Sequence, residues 1–241
     1  MSQEVFERYE KKYMLTKDQY CQLLSEMITQ ICPDVYGKHT ICNIYFDTPD
    51  YLLIRRSLEK PTYKEKIRLR SYGAAKAGGT VFLELKKKYR GVVYKRRVQM
   101  TLEEAEQYLY DGIKPELDSQ IFREIDYAYQ LYQVKPAVYL AYDRIAFYGK
   151  EDPNLRVTFD MNIRARKTNL HLSEETQGTQ LIDADMVLME IKIPGVMPMW
   201  MSRLLSEMKI FPVSFSKYGT YYKNYILPER LRDYKGGFIC A

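Results

Sequence analysis

The sequence predicts an α+β fold, an antiparallel sheet with helices lying along it, and three observations carry the prediction. Consecutive segments within residues 63–98 alternate charged with uncharged side chains at period two, as a pleated strand with two unlike faces requires. The same alternation returns near the N-terminus and again after Pro136. Between these patterns stand stretches with helical spacing of apolar residues, two of them opened by a capping box.

Taken in order, residues 6–15 read as a strand with Arg8, Glu10 and Lys12 on one face. Thr16 with Gln19 then opens a helix, whose stripe of Leu23, Leu24, Met27, Ile28 and Ile31 predicts core packing as far as about Ile31, before Pro33. Residues 42–47 are strand-like, and Thr48-Pro49-Asp50 predicts the start of a short helix through Leu58. In residues 63–72, Lys64, Lys66, Arg68 and Arg70 share a face opposite Ile67 and Leu69. In residues 80–88, Glu84, Lys86 and Lys88 oppose Val81, Leu83 and Leu85, and then Val93, Lys95 and Arg97 oppose Val92, Tyr94 and Val98. The glycine-rich residues 73–79 lack a Lys-Ser/Thr ending and open no helix, so they read as a hairpin connection and not as a phosphate loop.

Thr101 with Glu104 opens a second capped helix toward Gly112, and residues 119–133 form another with Ile121, Phe122, Ile125 and Tyr129 inward. After Pro136, residues 138–148 carry Tyr142 and Arg144 on one face, and residues 155–163 carry Arg156, Thr158 and Asp160. Residues 171–178 read as a loop, and residues 187–193 as a strand with Leu188, Glu190 and Lys192 together. The Met-rich residues 197–208, with Trp200, read as a packing helix. No repeat or linker divides the chain, which predicts a single domain over residues 1–241.

Composition narrows the class. At 46% hydrophobic and 28% charged the chain has an ordinary globular balance, and no run reaches the roughly 18 apolar residues of a membrane span. Cys21, Cys32, Cys42 and Cys240 have neither zinc-site nor disulfide-framework spacing, so a soluble cytoplasmic protein is expected.

One face of the predicted sheet collects cations. Like charges facing each other across a ladder destabilise it, so their repetition from strand to strand points to an anion held between them. Glu-x-Lys recurs at Glu10/Lys12, Glu84/Lys86 and Glu190/Lys192, each pair on a single face. The inward set holds fourteen basic residues (Arg8, Lys12, Lys64, Lys66, Arg68, Arg70, Lys86, Lys88, Lys95, Arg97, Arg144, Arg156, Lys192 and Lys217) and four acidic ones (Glu10, Glu84, Asp160 and Glu190), a net +10. The whole chain is only +6, leaving −4 outside, which excludes the basic outer stripe expected of a nucleic-acid binder.

The ordered motifs Arg8-x-x-x-Lys12-Tyr13, Tyr45-Phe46-Asp47, Ile67-Arg68-Leu69-Arg70-x-Tyr72, Glu84-x-Lys86, Arg144, Arg156, Glu190-x-Lys192 and Ser216-Lys217 resemble the VTC domain, the polyphosphate polymerase domain of the triphosphate tunnel metalloenzyme (CYTH-like) superfamily, from about residue 5 to 227. The resemblance implies a closed antiparallel β-tunnel of about eight strands with flanking helices. It also implies a metal-dependent transfer of the γ-phosphoryl of ATP onto polyphosphate, with Mn²⁺ or Mg²⁺ as cofactor, and with ATP, polyphosphate and pyrophosphate as partners. Carried over residue by residue, Lys217, Ser216, Arg144 and Arg156 would serve the catalytic end. Arg8, Lys12, Arg68, Arg70, Lys86, Lys95 and Lys192 would bind phosphate, and Glu190 would hold the metal, with Glu84 and Glu10 as further candidates. The other reading of Glu84 and Glu10 is as partners that keep lysines charged. Tunnel triphosphatases usually begin Glu-x-Glu-x-Lys, and Arg8 stands where the first Glu would be, which favours polymerase over hydrolase. A tunnel triphosphatase and a non-catalytic polyphosphate or nucleotide binder are the alternatives.

Overall fold

The computed structural model describes residues 5–6, 9–90 and 92–236. The elements in chain order are β1 (Val5–Phe6), β2 (Tyr9–Thr16), α1 (Lys17–Met27), β3 (Ile31–Pro33), β4 (His39–Asp47), α2 (Leu52–Leu58), β5 (Tyr63–Tyr72), β6 (Thr80–Tyr89), β7 (Val92–Thr101), α3 (Leu102–Leu109) and α4 (Gln120–Tyr132). They continue with β8 (Lys135–Gly149), β9 (Arg156–Arg166), β10 (Thr179–Gln180), β11 (Met186–Ile193), α5 (Met199–Glu207), α6 (Lys217–Tyr221), a π-helical stretch Tyr222–Ile226 and α7 (Leu227–Gly236).

All eleven strands join one antiparallel sheet in the order β1-β7-β6-β5-β4-β8-β9-β11-β2, with β10 on β9 and β3 on β8. The expected α+β fold, an antiparallel sheet of about eight strands with flanking helices, is present, the strands beyond eight being two or three residues long, and only the closure differs. Among the described residues no ladder joins the two ends of the sheet; instead β1 lies on β7 at one end and β2 on β11 at the other, and these two strands are neighbours in the chain. The extra strands β3 and β10 are two or three residues long, too short to show a period in sequence.

Helices cover the convex side in two places. Ile67, Leu69, Val81, Leu83 and Leu85, the uncharged faces of β5 and β6, pack with Ala105 and Tyr108 of α3 and Phe122 and Ile125 of α4. Val157, Phe159, Val187, Met189 and Ile191 pack with Leu23 and Met27 of α1 and Met201 and Leu205 of α5. A third core lies on the concave side, where Tyr45, Leu140, Tyr142 and Leu188 meet Ile54 of α2 and Tyr218, Tyr221 and Tyr222 near the C-terminus. Part of the interior is thus plugged by helix, and the rest is left to charge.

Both predicted capping boxes are present, at Thr16/Gln19 and Thr101/Glu104, and Ser119, read as the first residue of its helix, is the N-cap of α4. The first helix is shorter than its apolar stripe suggested. It stops at Met27, and Ile31 keeps its buried place as a strand residue paired with Gly149, because the chain reverses to lay β3 along β8. The start of α2 also differs from the prediction. Pro49 lies outside the helix, and the Asp47 carboxylate accepts from the backbone N–H of Thr48, Leu53 and Ile54 at 2.9, 2.8 and 3.0 Å. Residues 73–79 connect β5 to its antiparallel partner β6, as the hairpin reading required. No helix among the described residues is long and apolar enough to cross a membrane.

Candidate active site

Strands β5, β6 and β7 form one wall of the interior. Lys66, Lys86 and Lys95 stand directly opposite one another across the three strands, a rung of three like charges. Such a rung is unfavourable on its own account. Glu10, reaching from β2, comes within 3.5 Å of Lys86. One rung deeper, Arg68, Glu84 and Arg97 are aligned. Glu84 is 1% exposed; its Oε2 accepts from Arg68 Nε at 2.7 Å, and its Oε1 from Arg97 Nε at 2.6 Å and Lys95 Nζ at 2.7 Å. With both oxygens engaged by three cations, Glu84 orients the basic side chains around it. Arg68 also donates to the Tyr45 hydroxyl at 3.2 Å, and the buried Arg70 donates to Asn43 Oδ1 at 2.9 Å and to the Tyr142 hydroxyl at 3.3 Å.

The facing wall is built of β8, β9, β11 and β2. Its central rung is Ala146, Thr158, Glu190 and Lys12, and the rung below holds Arg144, Asp160, Leu188 and Met14. Arg144 makes a two-pronged contact with Asp160, Nε to Oδ1 at 2.6 Å and Nη2 to Oδ2 at 2.7 Å. Lys217 enters between the rungs from α6, with its Nζ 2.6 Å from Asp160 and 3.1 Å from Glu190. Two contacts aim that helix: Ser216 caps its N-terminus by accepting from Gly219 N–H, and the Tyr218 hydroxyl donates to Asp47 at 2.9 Å. A Cβ at Gly219 would sit 2.8 Å from Leu58 Cδ2 of α2 and 3.1 Å from the capping Ser216 side chain, so a larger residue there would displace both.

Glu190 is the hub. Lys217, Lys12, Arg144 and Lys192 approach it at 3.1, 3.4, 3.5 and 3.8 Å. Burial would raise its carboxyl, but Lys217 and Lys12, with Lys192 and Arg144, hold it well below the usual range. Burial likewise opposes the charge on Lys217, and Asp160 and Glu190 more than reverse that, keeping it a cation. Glu10 is brought down to about 2: burial and the nearby Glu190 raise it, and Lys86, Lys192 and Lys12 outweigh both. Other cations lack such support. Burial, with Lys86, Lys12 and Lys64 close by, pulls Lys66 down to about 8, and burial pulls Lys192 to about 8 despite Glu190. The buried Tyr45 hydroxyl is drawn to about 8, because Arg68, Lys66 and Arg70 overcome its desolvation.

Above these rungs one mouth opens into a cavity of 470 Å³ lined by eight lysines (Lys11, Lys12, Lys60, Lys64, Lys66, Lys86, Lys88 and Lys223) and a single acid, Glu10. Ser216 Oγ, which accepts from Lys66 Nζ at 3.2 Å, is at its floor, and Lys12 Nζ donates to the Phe215 carbonyl at 3.0 Å. Such an opening suits an elongated anion rich in oxygen.

The expected site residues fall into three groups. Lys12, Arg144, Lys192, Lys217, Glu10 and Glu190 converge, and Lys86 joins them through Glu10. Arg68, Arg70 and Lys95 lie on the opposite wall, and Ser216 at the cavity floor. Arg156 shares the inward face but stands at the rim, 44% exposed and paired with Asp34 at 2.7 Å. Arg8 lies outside the described residues. The sequence reading missed Asp160 as a partner of Lys217, although it shares the alternation of Arg156 and Thr158. It picked out Tyr45 and Tyr142 but not as partners of Arg68 and Arg70, and it missed Asn43, whose strand is buried on both faces, and Lys60 and Lys223, which lie on no periodic face. Among the described residues no three His, Cys, Asp or Glu side chains form a preformed metal cluster. A hard divalent ion keeps several waters and takes oxygen from phosphates, so Glu190 with Glu10 beside it fits an ion that arrives with its anion. One further oxygen is available on the central rung: the Thr158 hydroxyl is buried and has no hydrogen-bond partner.

The family model described as the VTC domain matches residues 7–226. No curated protein matches the chain. Among solved structures, a putative adenylate cyclase from Bacillus halodurans is similar over 89% of this chain and 96% of its own, with a TM-score of 0.57 and 15% identity, a likeness of fold. A putative adenylyl cyclase from Hippeastrum, described as revealing a dominant triphosphatase activity, covers 89% of this chain and 94% of its own, with a TM-score of 0.49 and 17% identity.

Proposed function

The chain belongs to the VTC domain family, and from that premise we propose that it is a polyphosphate polymerase. It transfers the γ-phosphoryl of ATP onto the end of a growing phosphate chain. The bond from the γ-phosphorus to the bridging oxygen breaks and ADP leaves with the electron pair, while a terminal oxygen of the polyphosphate forms the new bond. The observation that carries this reading is the eight-lysine cavity leading down to the Lys12–Glu190–Lys217 cluster. Phosphoryl transfer through a loose transition state asks mainly for positioning and for neutralisation of charge on the phosphate oxygens, and arginine and lysine supply both.

In this reading Lys66, Lys86 and Lys95 take the triphosphate between them, relieving the repulsion of their rung. Lys12 and Lys217 hold oxygens beside the reacting phosphorus, and Arg144 fixes Asp160 so that Asp160 in turn aims Lys217. Arg68 and Arg70 receive phosphates further along the wall, with Glu84 keeping Arg68 in place, and Arg156 meets the anion at the rim. Glu190, with Glu10 alongside, would hold Mn²⁺ or Mg²⁺, which when bound neutralises charge on the phosphate oxygens. The protein works in the cytoplasm as one domain, and the free thiols of Cys21, Cys32 and Cys42 agree with a reducing compartment.

The test is incubation of the purified protein with ATP and Mn²⁺. The expected result is an acid-stable ladder of phosphate chains on a gel, with ADP released in step. Orthophosphate without a ladder would make the protein a triphosphatase, and tight triphosphate binding without turnover would make it a binder.

A further inference from the structure

Thr158 has an anomalous position for a buried hydroxyl. It is 4% exposed on the inward face of β9, and its Oγ1 is fully buried with no hydrogen-bond partner. Leaving such a group unpaired costs free energy, whereas a valine of the same outline would not. On its rung Thr158 has Glu190 of β11 directly opposite on one side and the small Ala146 of β8 on the other. Nearly everything else near Glu190 is a donor, namely Lys12, Lys192, Lys217 and Arg144. Asp160 could offer lone pairs, but both its oxygens are taken by Arg144, with Lys217 on the second. The central rung therefore has one carboxylate and one unused neutral oxygen side by side in a ring of cations.

We propose that the Thr158 hydroxyl is a second oxygen ligand for the divalent cation held at Glu190, and that the protein gives up stability in the empty state to keep it there. The inference rests on the cation site of the polymerase reading and adds a residue to it. A hard cation prefers neutral or anionic oxygen, and an oxygen left unpaired in the absence of the ion has no hydrogen bond to give up on receiving it. A hydroxyl facing phosphate would instead act as a donor, a role that lysines and arginines already fill on every side.

The experiment measures Mn²⁺ affinity by electron paramagnetic resonance, in the presence of a saturating non-hydrolysable ATP analogue, for the wild-type protein and for Thr158→Val, Thr158→Ala and Thr158→Ser. Loss of the hydroxyl in Val and Ala is expected to weaken Mn²⁺ about tenfold or more, on the scale of support-ligand losses, with Ser close to wild type. The Ser and Ala variants differ only by the oxygen and leave the same space, so a packing defect cannot imitate the result. Without metal, Thr158→Val is expected to melt at or above the wild-type temperature, and binding of the analogue in EDTA is expected to be the same in all four proteins. Equal Mn²⁺ affinity in Ser and Ala overturns the assignment while leaving the cation site standing. Equal loss of analogue binding in EDTA overturns it too, giving the hydroxyl to phosphate. Absence of Mn²⁺ binding by the wild-type protein removes the cation site itself, and the metal-dependent reading with it.

Discussion

Triphosphate binding should be strongly pH-dependent above neutrality, because part of the anion's charge partner is a pair of lysines held near pH 8. Lys66 and Lys192 both lie at about 8 in the empty protein, pulled down chiefly by burial. An anion arriving beside them favours the charged form, so each must be protonated for full binding. A lysine with a pKa near 8 is about 76% charged at pH 7.5 and about 9% at pH 9, an eightfold loss per group and roughly 70-fold for both. Lys95, which burial brings to about 7, deepens the fall. Loss of the ligand's own last proton makes it more negative and works in the opposite direction, so a fall in affinity with rising pH comes from the protein. Calorimetry of a non-hydrolysable ATP analogue at pH 8, repeated in two buffers of different ionisation enthalpy, should show uptake of about two protons per analogue, half of one from each of Lys66 and Lys192 and most of one from Lys95. Lys66→Arg, whose charge does not titrate, should remove about eightfold of the slope. The sign for stability is opposite. Both folded pKa values lie below the ~10.4 of an unfolded lysine, so between about pH 8 and 10 the unfolded chain binds more protons, and these two groups make the empty protein more stable as pH rises. A flat affinity from pH 7.5 to 9 with no proton uptake would refute the reasoning.

Lys217→Ala strands Asp160 and Glu190 in a buried site, and breaking such a pair costs about 3–5 kcal/mol, so melting should fall by roughly 6–20 °C in calorimetry as well as activity being lost. Asp47→Ala removes the acceptor of the α2 N–H groups and of Tyr218; denaturant unfolding should show a loss of about 3 kcal/mol, with weakened triphosphate binding because Tyr218 aims Lys217. Lys86→Ala and Arg70→Ala should each weaken binding of a non-hydrolysable ATP analogue about tenfold or more along with the rate, whereas Glu190→Ala should abolish turnover and leave much of the metal-independent binding. Equal binding losses in all three would dissolve that division of roles.

The wall formed by β5, β6 and β7 was readable because one face is apolar and packed by α3 and α4 while the other is charged, so the alternation is undiluted. β5 begins and ends where its pattern does. β4 gave only a fragment of itself, since residues 41–47 are buried on both faces and show no period. For the same reason Asn43 and Tyr45 were not recognised as partners of Arg70 and Arg68. The alternation put Arg156 on the correct face but could not reveal Asp34, a distant loop residue that holds it at the rim. The C-terminal plug was the least legible part. Ser216 and Lys217 were picked out by resemblance, but that Tyr218, Tyr221 and Tyr222 would fill the concave side depends on long-range packing that no local pattern encodes. The metal candidates were read by spacing, and spacing cannot tell Glu84, hydrogen-bonded closely to Arg68, Arg97 and Lys95, from Glu190, whose four cations stand back at 3.1–3.8 Å beside an unpaired hydroxyl.

The two short strands at the N-terminus have a kinetic meaning. Val5 pairs with Tyr94 and Lys12 with Glu190, so one brief segment waits for partners from the middle and from the far end of the chain. Loop-closure entropy must be spent before either pairing returns anything, which predicts late docking of this segment in folding. Until it docks, β7 and β11 each present a bare edge, and a bare edge is a template for another copy of the same chain. Refolding yield should therefore depend on protein concentration, with the loss arising at that late stage and not in collapse of the apolar cores.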